Sequence, residues 1–309
     1  MEFSFTPLGI SAAQPAYGRH LAGHVLAVGN TRLLFDCGEG TQFQLYRFGI
    51  KRSQIRHIFI SHLHGDHFFG LIGLLTSFGM NDRKEALHVY APHGLKEIIQ
   101  HQLEFTGTIL PYDLIFHLLE VQTLEQILET KYLEVFSFPL VHRTPTFGFL
   151  VREKQIPLNI IPEVIERYGL SFEQIRAVKA GGDLKFPDGR HILNEELTLP
   201  PYARRSFAYC SDTAYSEAVV PYIRGVDILY HESTFQEEDA LLAAETFHST
   251  ARQAAQIARL SEVKTLVLGH YSARYFDLSD LLEEAKSVFP NSVLGEEGLG
   301  VEVQAERLK

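Results

Sequence analysis

The run Ile58-Phe59-Ile60-Ser61-His62-Leu63-His64-Gly65-Asp66-His67 decides how this chain is read. Its first three residues are apolar and β-branched or aromatic, the signature of a buried strand. Three histidines and one aspartate follow within six residues. Side chains alternate along an extended segment, so His62 and His64 share a face and can hold one cation. Gly65 permits a tight turn, beyond which Asp66 and His67 can hold a second. Imidazole with carboxylate suits zinc, and manganese or iron accept the same donors. A lone histidine is more often an ordinary core or surface residue. Four such donors at this spacing make a metal site.

Composition frames that site. A chain of 309 residues fits two ordinary domains or one large α/β domain. Its 45% apolar and 21% charged content is that of a globular protein with a sizeable core. No window approaches the roughly 18 apolar residues of a membrane span. Met1-Glu2-Phe3-Ser4-Phe5 has neither the basic nor the apolar region of a signal peptide. A cytoplasmic protein with no membrane partner is expected. Cys37 and Cys210 each sit in an apolar strand-like run and read as two buried thiols in a reducing compartment. The formal net charge of −10 argues against a non-specific nucleic-acid binder, and no DNA partner is expected. An RNA enzyme with a local basic patch remains compatible with it.

Strand-like runs occupy residues 3–8, 24–28, 33–37, 57–60, 87–91, 133–141, 147–151, 206–210, 228–230 and 265–268. Helical periodicity marks 68–78, 93–105, 215–223, 249–260 and 278–288. Early strands are joined by tight turns, as at Gly29-Asn30, whereas later strands alternate with helices. The pattern predicts an α/β fold with two mixed sheets face to face and helices outside, a four-layer αβ/βα sandwich forming a single domain over 1–309. Residues of about 152–205 differ in texture, with scattered prolines, Gly181-Gly182 and amphipathic pieces at 160–168 and 172–178. They read as a short inserted arm, or equally as a helix-loop connection packed on the sandwich.

A two-ion site needs further donors at strand ends. His142, Asp212 and His270 each follow a predicted strand, and Asp212, a carboxylate, can bridge two ions. Each alone has a plain reading: a loop histidine, a helix-capping aspartate, another loop histidine. Together they mark the same edge as the first cluster.

In this order the motifs resemble those of the metallo-β-lactamase superfamily, and more specifically the ribonuclease Z family. Phe35-Asp36-Cys37-Gly38-Glu39-Gly40-Thr41-Gln42 is similar to that family's first motif. His231-Glu232-Ser233-Thr234-Phe235 resembles its His-Glu-Ala-Thr box, with Ser233 for alanine. Phe247-His248-Ser249-Thr250-Ala251 and His270-Tyr271-Ser272-Ala273-Arg274-Tyr275 complete the series. The resemblance spans essentially the whole chain. It implies the metallo-β-lactamase sandwich and two Zn2+ per subunit, with His62, His64 and His142 on one ion, Asp66, His67 and His270 on the other, and Asp212 between. It further implies removal of 3′ trailers from precursor tRNA by attack of a metal-bridging hydroxide on the scissile phosphate. Asp66 would orient or deprotonate the water, His248 would protonate the leaving oxygen, and Glu232 would orient His248. A homodimer is implied, one subunit's arm holding RNA for the other.

Asp36, Glu39 and Thr41 are expected to shape the surroundings of the ligands and the loop beside the metals rather than bind them. Arg274 and Tyr275 read either as substrate contacts or as a packed pair. The arm departs from the family: it has no Gly-Pro followed by a basic run, and Lys179, Lys185, Arg190, Arg204 and Arg205 are dispersed. Two alternatives therefore stand beside the tRNA reading. One is a hydrolase of a small phosphodiester or ester, the other a metal-binding but inactive RNA-binding protein.

Overall fold

In the computed structural model, which describes residues 2–155, 157–186 and 188–308, side-chain alternation sorts the core into layers. The first six strands are β1 (Phe3–Gly9), β2 (Gly23–Val28), β3 (Thr31–Cys37), β4 (Ile55–Phe59), β5 (Leu87–Ala91) and β6 (Leu114–Leu118). Then come β7 (Glu125–Glu129), β8 (Leu133–Leu140), β9 (Thr146–Glu153), the short pair β10 (Leu184–Lys185) and β11 (His191–Ile192), and β12 (Ser206–Cys210). The last four are β13 (Ile228–Glu232), β14 (Thr265–Gly269), β15 (Ser292–Leu294) and β16 (Val301–Glu302). One seven-stranded sheet runs β16-β1-β2-β3-β4-β5-β6, the other β15-β14-β13-β12-β9-β8-β7. Each is antiparallel over one part and parallel over the rest, as β3-β4-β5-β6 and β12-β13-β14-β15 are.

Leu33 and Phe35 of β3 face the second sheet, meeting Phe149, Phe207, Tyr209 and Tyr230. Leu34, between them, faces outward with Ile58 and Val89 onto the helices Leu71–Met80 and Leu95–Phe105. On the second sheet Ala208, Leu229 and Leu266 face outward onto Ala251–Leu260 and Ser279–Val288. The alanines Ala251, Ala254, Ala255 and Ala258 let the first of these helices lie close on its sheet. Thr250 and Gln253 close its N-terminus with a capping box. Three apolar layers thus separate four layers of structure, the predicted αβ/βα sandwich. Burying a side chain such as Phe35 or Phe207 contributes about 1.5–3 kcal/mol, so each of these apolar layers is a major source of stability.

Several elements differ from the sequence reading, among them the following. The helix predicted over 68–78 is two helices, Gly65–Phe68 and Leu71–Met80, because Gly70 packs against the backbone of β3: a Cβ there would lie 2.1 Å from the Gly38 carbonyl oxygen. The helix predicted over 215–223 is reduced to a 3-10 turn and Val220–Ile223, with Pro221 in its first turn. Edge strands β6 and β7 are half exposed and absent from the sequence reading; β7, Glu-Gln-Ile-Leu-Glu, lacks the apolar run of a central strand, whereas β6, Leu-Ile-Phe-His-Leu, has one.

Residues 158–199 gather around a small apolar cluster of their own, Ile160, Val164, Leu170, Val178, Leu184 and Leu197. They include the helices Pro162–Tyr168 and Phe172–Lys179 and the β10-β11 hairpin. Among the described residues no helix is long and apolar enough to cross a membrane. Cys37 and Cys210 are free and buried, and burial pushes the Cys37 thiol up to about 12.

Candidate active site

β8, β12, β13 and β14 point the same way, and their C-terminal ends meet that of β4 at one edge of the sandwich. Each leaves a polar side chain there: His142 just past β8, Asp212 past β12, Glu232 ending β13, His270 past β14, and His62 to His67 past β4. The first cluster turns as an extended segment into the one-turn helix Gly65–Phe68, bringing Asp66 and His67 round to face the others. Gly65 serves a different purpose from the one its position suggests. Its φ is not positive; a Cβ would lie 2.2 Å from the Phe69 ring, so glycine is needed for that packing.

Two donor groups with no shared residue result: His62, His64, His142 and Asp212, and beside it Asp66, His67 and His270; Asp212, His248 and His270 make a third combination that overlaps both. In the first, His62 Nε2 lies 3.0 Å from His64 Nδ1, which is 3.3 Å from His142 Nε2. Asp212 Oδ2 stands 3.5 Å from His62 Nε2 and 3.9 Å from His142 Nε2. In the second, His67 Nε2 and His270 Nε2 are 3.3 Å apart, with Asp66 Oδ2 at 3.5 and 3.6 Å from them. The other oxygen of Asp212, Oδ1, lies 3.3 Å from His67 Nε2 and 3.2 Å from His270 Nε2. Asp212 therefore faces both groups, one oxygen to each. Atoms bound tetrahedrally to a cation such as zinc at about 2.0–2.1 Å are spaced about 3.3 Å apart, so these are ligand-edge distances.

The outer nitrogens explain why the inner ones need a cation. His67 Nδ1 is 2.8 Å from Asp36 Oδ2, and a carboxylate can only accept, so this nitrogen carries the proton. Thr234 Oγ1 donates to Glu232 Oε2 at 2.7 Å and so accepts from His270 Nδ1 at 2.9 Å. His142 Nδ1–H donates to the Phe247 carbonyl at 2.8 Å, and His62 Nδ1–H to Ser61 Oγ at 3.0 Å. With these four rings neutral, as metal ligands are, each of their Nε2 atoms turns a lone pair inward, while His64 faces its group through Nδ1. Two lone pairs facing each other at 3.3 Å, as at His67 and His270, repel unless a cation lies between them. The donor chemistry fits a divalent metal.

The backbone is bent to deliver these groups. Asp36, Phe247 and His270 all have positive φ, of 54°, 59° and 59°. Such strain clusters at functional sites because the surroundings must hold it. Phe247 ends the helix Ala240–Thr246 in that conformation, offering its carbonyl to His142 and aiming the next residue, His248, at the site.

Glu232 is fully buried. Its Oε1 accepts from His248 Nδ1 at 2.9 Å and from the backbone N–H of Thr213 and Ser249 at 3.1 Å. Its Oε2 accepts from the Thr234 N–H and hydroxyl. Burial disfavours a charged His248, but the Glu232 carboxylate outweighs it and pushes the imidazole up to about 9. Burial likewise opposes ionisation of Asp212 and Asp66, yet the neighbouring imidazoles hold both carboxyls well below their usual range. Asp66 Oδ2 also accepts from the Ala13 N–H at 2.8 Å.

The structure brings together all nine residues singled out in the sequence: His62, His64, Asp66, His67, His142, Asp212, Glu232, His248 and His270. Of the three supporting residues, Asp36 alone stands behind the ligands, accepting from His67, Ser61 and the Tyr209 hydroxyl. Glu39 is exposed at the rim and Thr41 begins the helix Thr41–Arg47. Arg274 and Tyr275 divide: Arg274 lines the cleft, whereas the Tyr275 hydroxyl is bound to Asp239 and Gln236. Thr234, Ser61 and Tyr209 were not singled out as site residues. Thr234 alone had a signal, its place in the box beside Glu232. Other histidines lie apart: His24 is buried between Phe5 and Tyr230, and His231 turns away to the Glu232 carbonyl.

The donor groups open into a cleft of about 880 Å³, lined among others by Ala13, Gln14, Phe69, Phe235, His248 and Arg274. Two stacked mixed sheets with histidine and aspartate donors at one edge define a metallo-β-lactamase-fold protein. Residues 166–271 match the family model described as "Beta-lactamase superfamily domain", and residues 3–154 the one described as "Anti-Pycsar protein Apyc1". The chain is 45% identical to ribonuclease Z of Parabacteroides distasonis, covering 98% of this chain and 99% of that protein. It is 44% identical to ribonuclease Z of Cytophaga hutchinsonii, covering 96% and 95%. The crystal structure of human tRNase Z, short form, superposes with a TM-score of 0.72 at 28% identity, covering 96% of this chain and 98% of that one. The chain belongs to the ribonuclease Z family.

Proposed function

We propose that this protein is the endoribonuclease that removes 3′ trailers from precursor tRNA, using two zinc ions per subunit. The observation that carries this reading is the Glu232–His248 pair, a proton donor held by a buried carboxylate and opening into the same cleft as two metal-donor groups. Full-length identity to ribonuclease Z proteins supports the RNA substrate over a small phosphodiester. An inactive RNA binder has no use for the complete constellation.

His62, His64 and His142 would hold one zinc, Asp66, His67 and His270 the other, with Asp212 shared. When bound, such a pair acidifies water and neutralises charge on a phosphate undergoing in-line displacement. Asp66, kept ionised, is placed to orient the attacking water through a hydrogen bond to its carboxylate. His248, kept protonated by Glu232, gives its proton to the departing ribose 3′-oxygen. Thr213, Ser249 and Thr234 hold Glu232 in place while it does so.

The 152–205 arm is the part we assign to gripping tRNA, its helix Phe172–Lys179 offering Arg176 and Lys179 beside the exposed Phe172. We assign homodimerisation to the exposed Phe43 and Tyr46 of the helix Thr41–Arg47; a one-chain mass by light scattering would exclude it. The cytoplasm, where precursor tRNA is made in a bacterial cell, is the expected compartment. Stripping the protein with chelator and adding back zinc tests the metal assignment. Trailer cleavage should return as two ions bind per chain, and recovery with one ion would overturn it.

A further inference from the structure

Residues 10–20 and 271–276 form one flank of the cleft, zipped by backbone hydrogen bonds from Tyr271 to the Ile10 carbonyl (2.7 Å) and from Ala12 to the Tyr271 carbonyl (3.0 Å). Both loops are tied to the donor groups: the Ala13 N–H reaches Asp66, and His270 begins the second. Just beyond the cleft-lining residues 12–15 and 272–274 they carry a pair of aromatic rings. Tyr17 and Phe276 meet edge to face, centroids 5.1 Å apart, and are 55% and 77% exposed.

The way Tyr17 is held marks this pair; among the other exposed aromatics of the described residues, Phe247 shares its positive φ. Ala16 and Arg19 exchange backbone hydrogen bonds around a two-residue turn, and both central residues, Tyr17 and Gly18, have positive φ, of 54° and 77°. Such a primed turn calls for Asn, Asp or Gly at its first central position. A tyrosine there is strained, and strain of this kind persists where the residue serves another end. Arg19 stabilises it, its guanidinium 5.1 Å from the Tyr17 ring centre and hydrogen-bonded to the Ala16 and Tyr275 carbonyls. Phe276 is left as the ring of the pair more open to solvent.

From this we infer that Tyr17 and Phe276 form a base-stacking platform for the unpaired nucleotide immediately 3′ of the scissile phosphate, with Phe276 taking the base and Tyr17 positioning it. The inference rests on the RNA-cleaving reading of the cleft. His248 and its neighbours 246–249 receive the leaving 3′-oxygen, so the body of the tRNA lies toward them. The flank over Asp66 and His270 is then left to the trailer. Unpaired bases are held by aromatic faces whatever their identity, and cationic side chains beside them favour the adjoining phosphates. Arg274, on the same loop and exposed in the cleft, supplies that charge.

The test compares wild type, Phe276→Ala, Phe276→Tyr, Tyr17→Ala and Tyr17→Asn on precursor tRNA with a normal trailer and with an abasic first trailer nucleotide. On the normal substrate, Phe276→Ala should raise KM about five- to fiftyfold, from the loss of one base–aromatic stack, and the loss should fall on KM rather than kcat. Phe276→Tyr should restore it. The abasic trailer should erase the difference between Phe276→Ala and wild type. Tyr17→Asn fits the turn and should keep or raise Tm while raising KM as Tyr17→Ala does, which separates substrate contact from loop stability. Wild-type cleavage with unchanged KM in Phe276→Ala, or an equal rise on the abasic trailer, would overturn the platform and leave the proposed function standing. No wild-type cleavage would overturn both.

Discussion

Glu232 Oε1 sits 2.9 Å from His248 Nδ1, and the carboxylate making that contact is fully buried. A buried carboxylate is costly unless hydrogen-bonded, and Glu232 has four further contacts, from Thr213, Ser249 and both donors of Thr234. The structure thus maintains a buried negative charge whose one ring partner is His248.

His248→Ala should lower trailer cleavage about 10²–10⁴-fold, the usual contribution of a positioned acid. His248 also stands within donor distance of Asp212 and His270, but the two groups His62, His64, His142, Asp212 and Asp66, His67, His270 are complete without it, so metal content should be kept. Turnover near wild type would remove the proton-donor role.

Glu232→Gln should move the pH profile. The carboxylate favours the imidazolium and pushes His248 up to about 9, so its neutral replacement lowers that value. The protonated fraction then falls at lower pH, and the basic limb of kcat shifts toward acid. The loss should be large at neutral pH and shrink as pH drops. A basic limb that stays in place would show that this limb reports another group.

Asp212→Ala should cost metal itself, because its two oxygens face different donor groups. Metal analysis after desalting should find fewer than two ions per chain; full retention would exclude a shared ligand.

Asp36→Asn should act more mildly. Asp36 fixes the proton on His67 Nδ1 and is itself a member of neither donor group. Such outer partners typically account for 10–100-fold in metal affinity, so chelator competition should show a loss of that order with the fold intact. Unchanged affinity would assign Asp36 to packing alone.

Much of this molecule was legible from residues in order. Strands β5 and β12 have the predicted bounds, since a central strand buried on both faces is written as a continuous apolar run. The donors were legible because each ends such a strand. What escaped notice depends on contacts distant in sequence. Tyr209 reaches Asp36 across 173 positions, and nothing local marks it as other than core. Gly65 and Gly70 look like turn residues, but their constraint comes from the Phe69 ring and the Gly38 carbonyl. Tyr17 looks like any loop aromatic until its φ is known.

The most direct measurement is cleavage of an end-labelled precursor tRNA by the metal-loaded protein, beside chelator-treated protein and His248→Ala. A single cut just after the discriminator nucleotide, lost with chelator and strongly reduced in the variant, is the predicted result. An uncut precursor, with brisk metal-dependent hydrolysis of a small phosphodiester, would contradict the tRNA assignment while leaving the metal site in place.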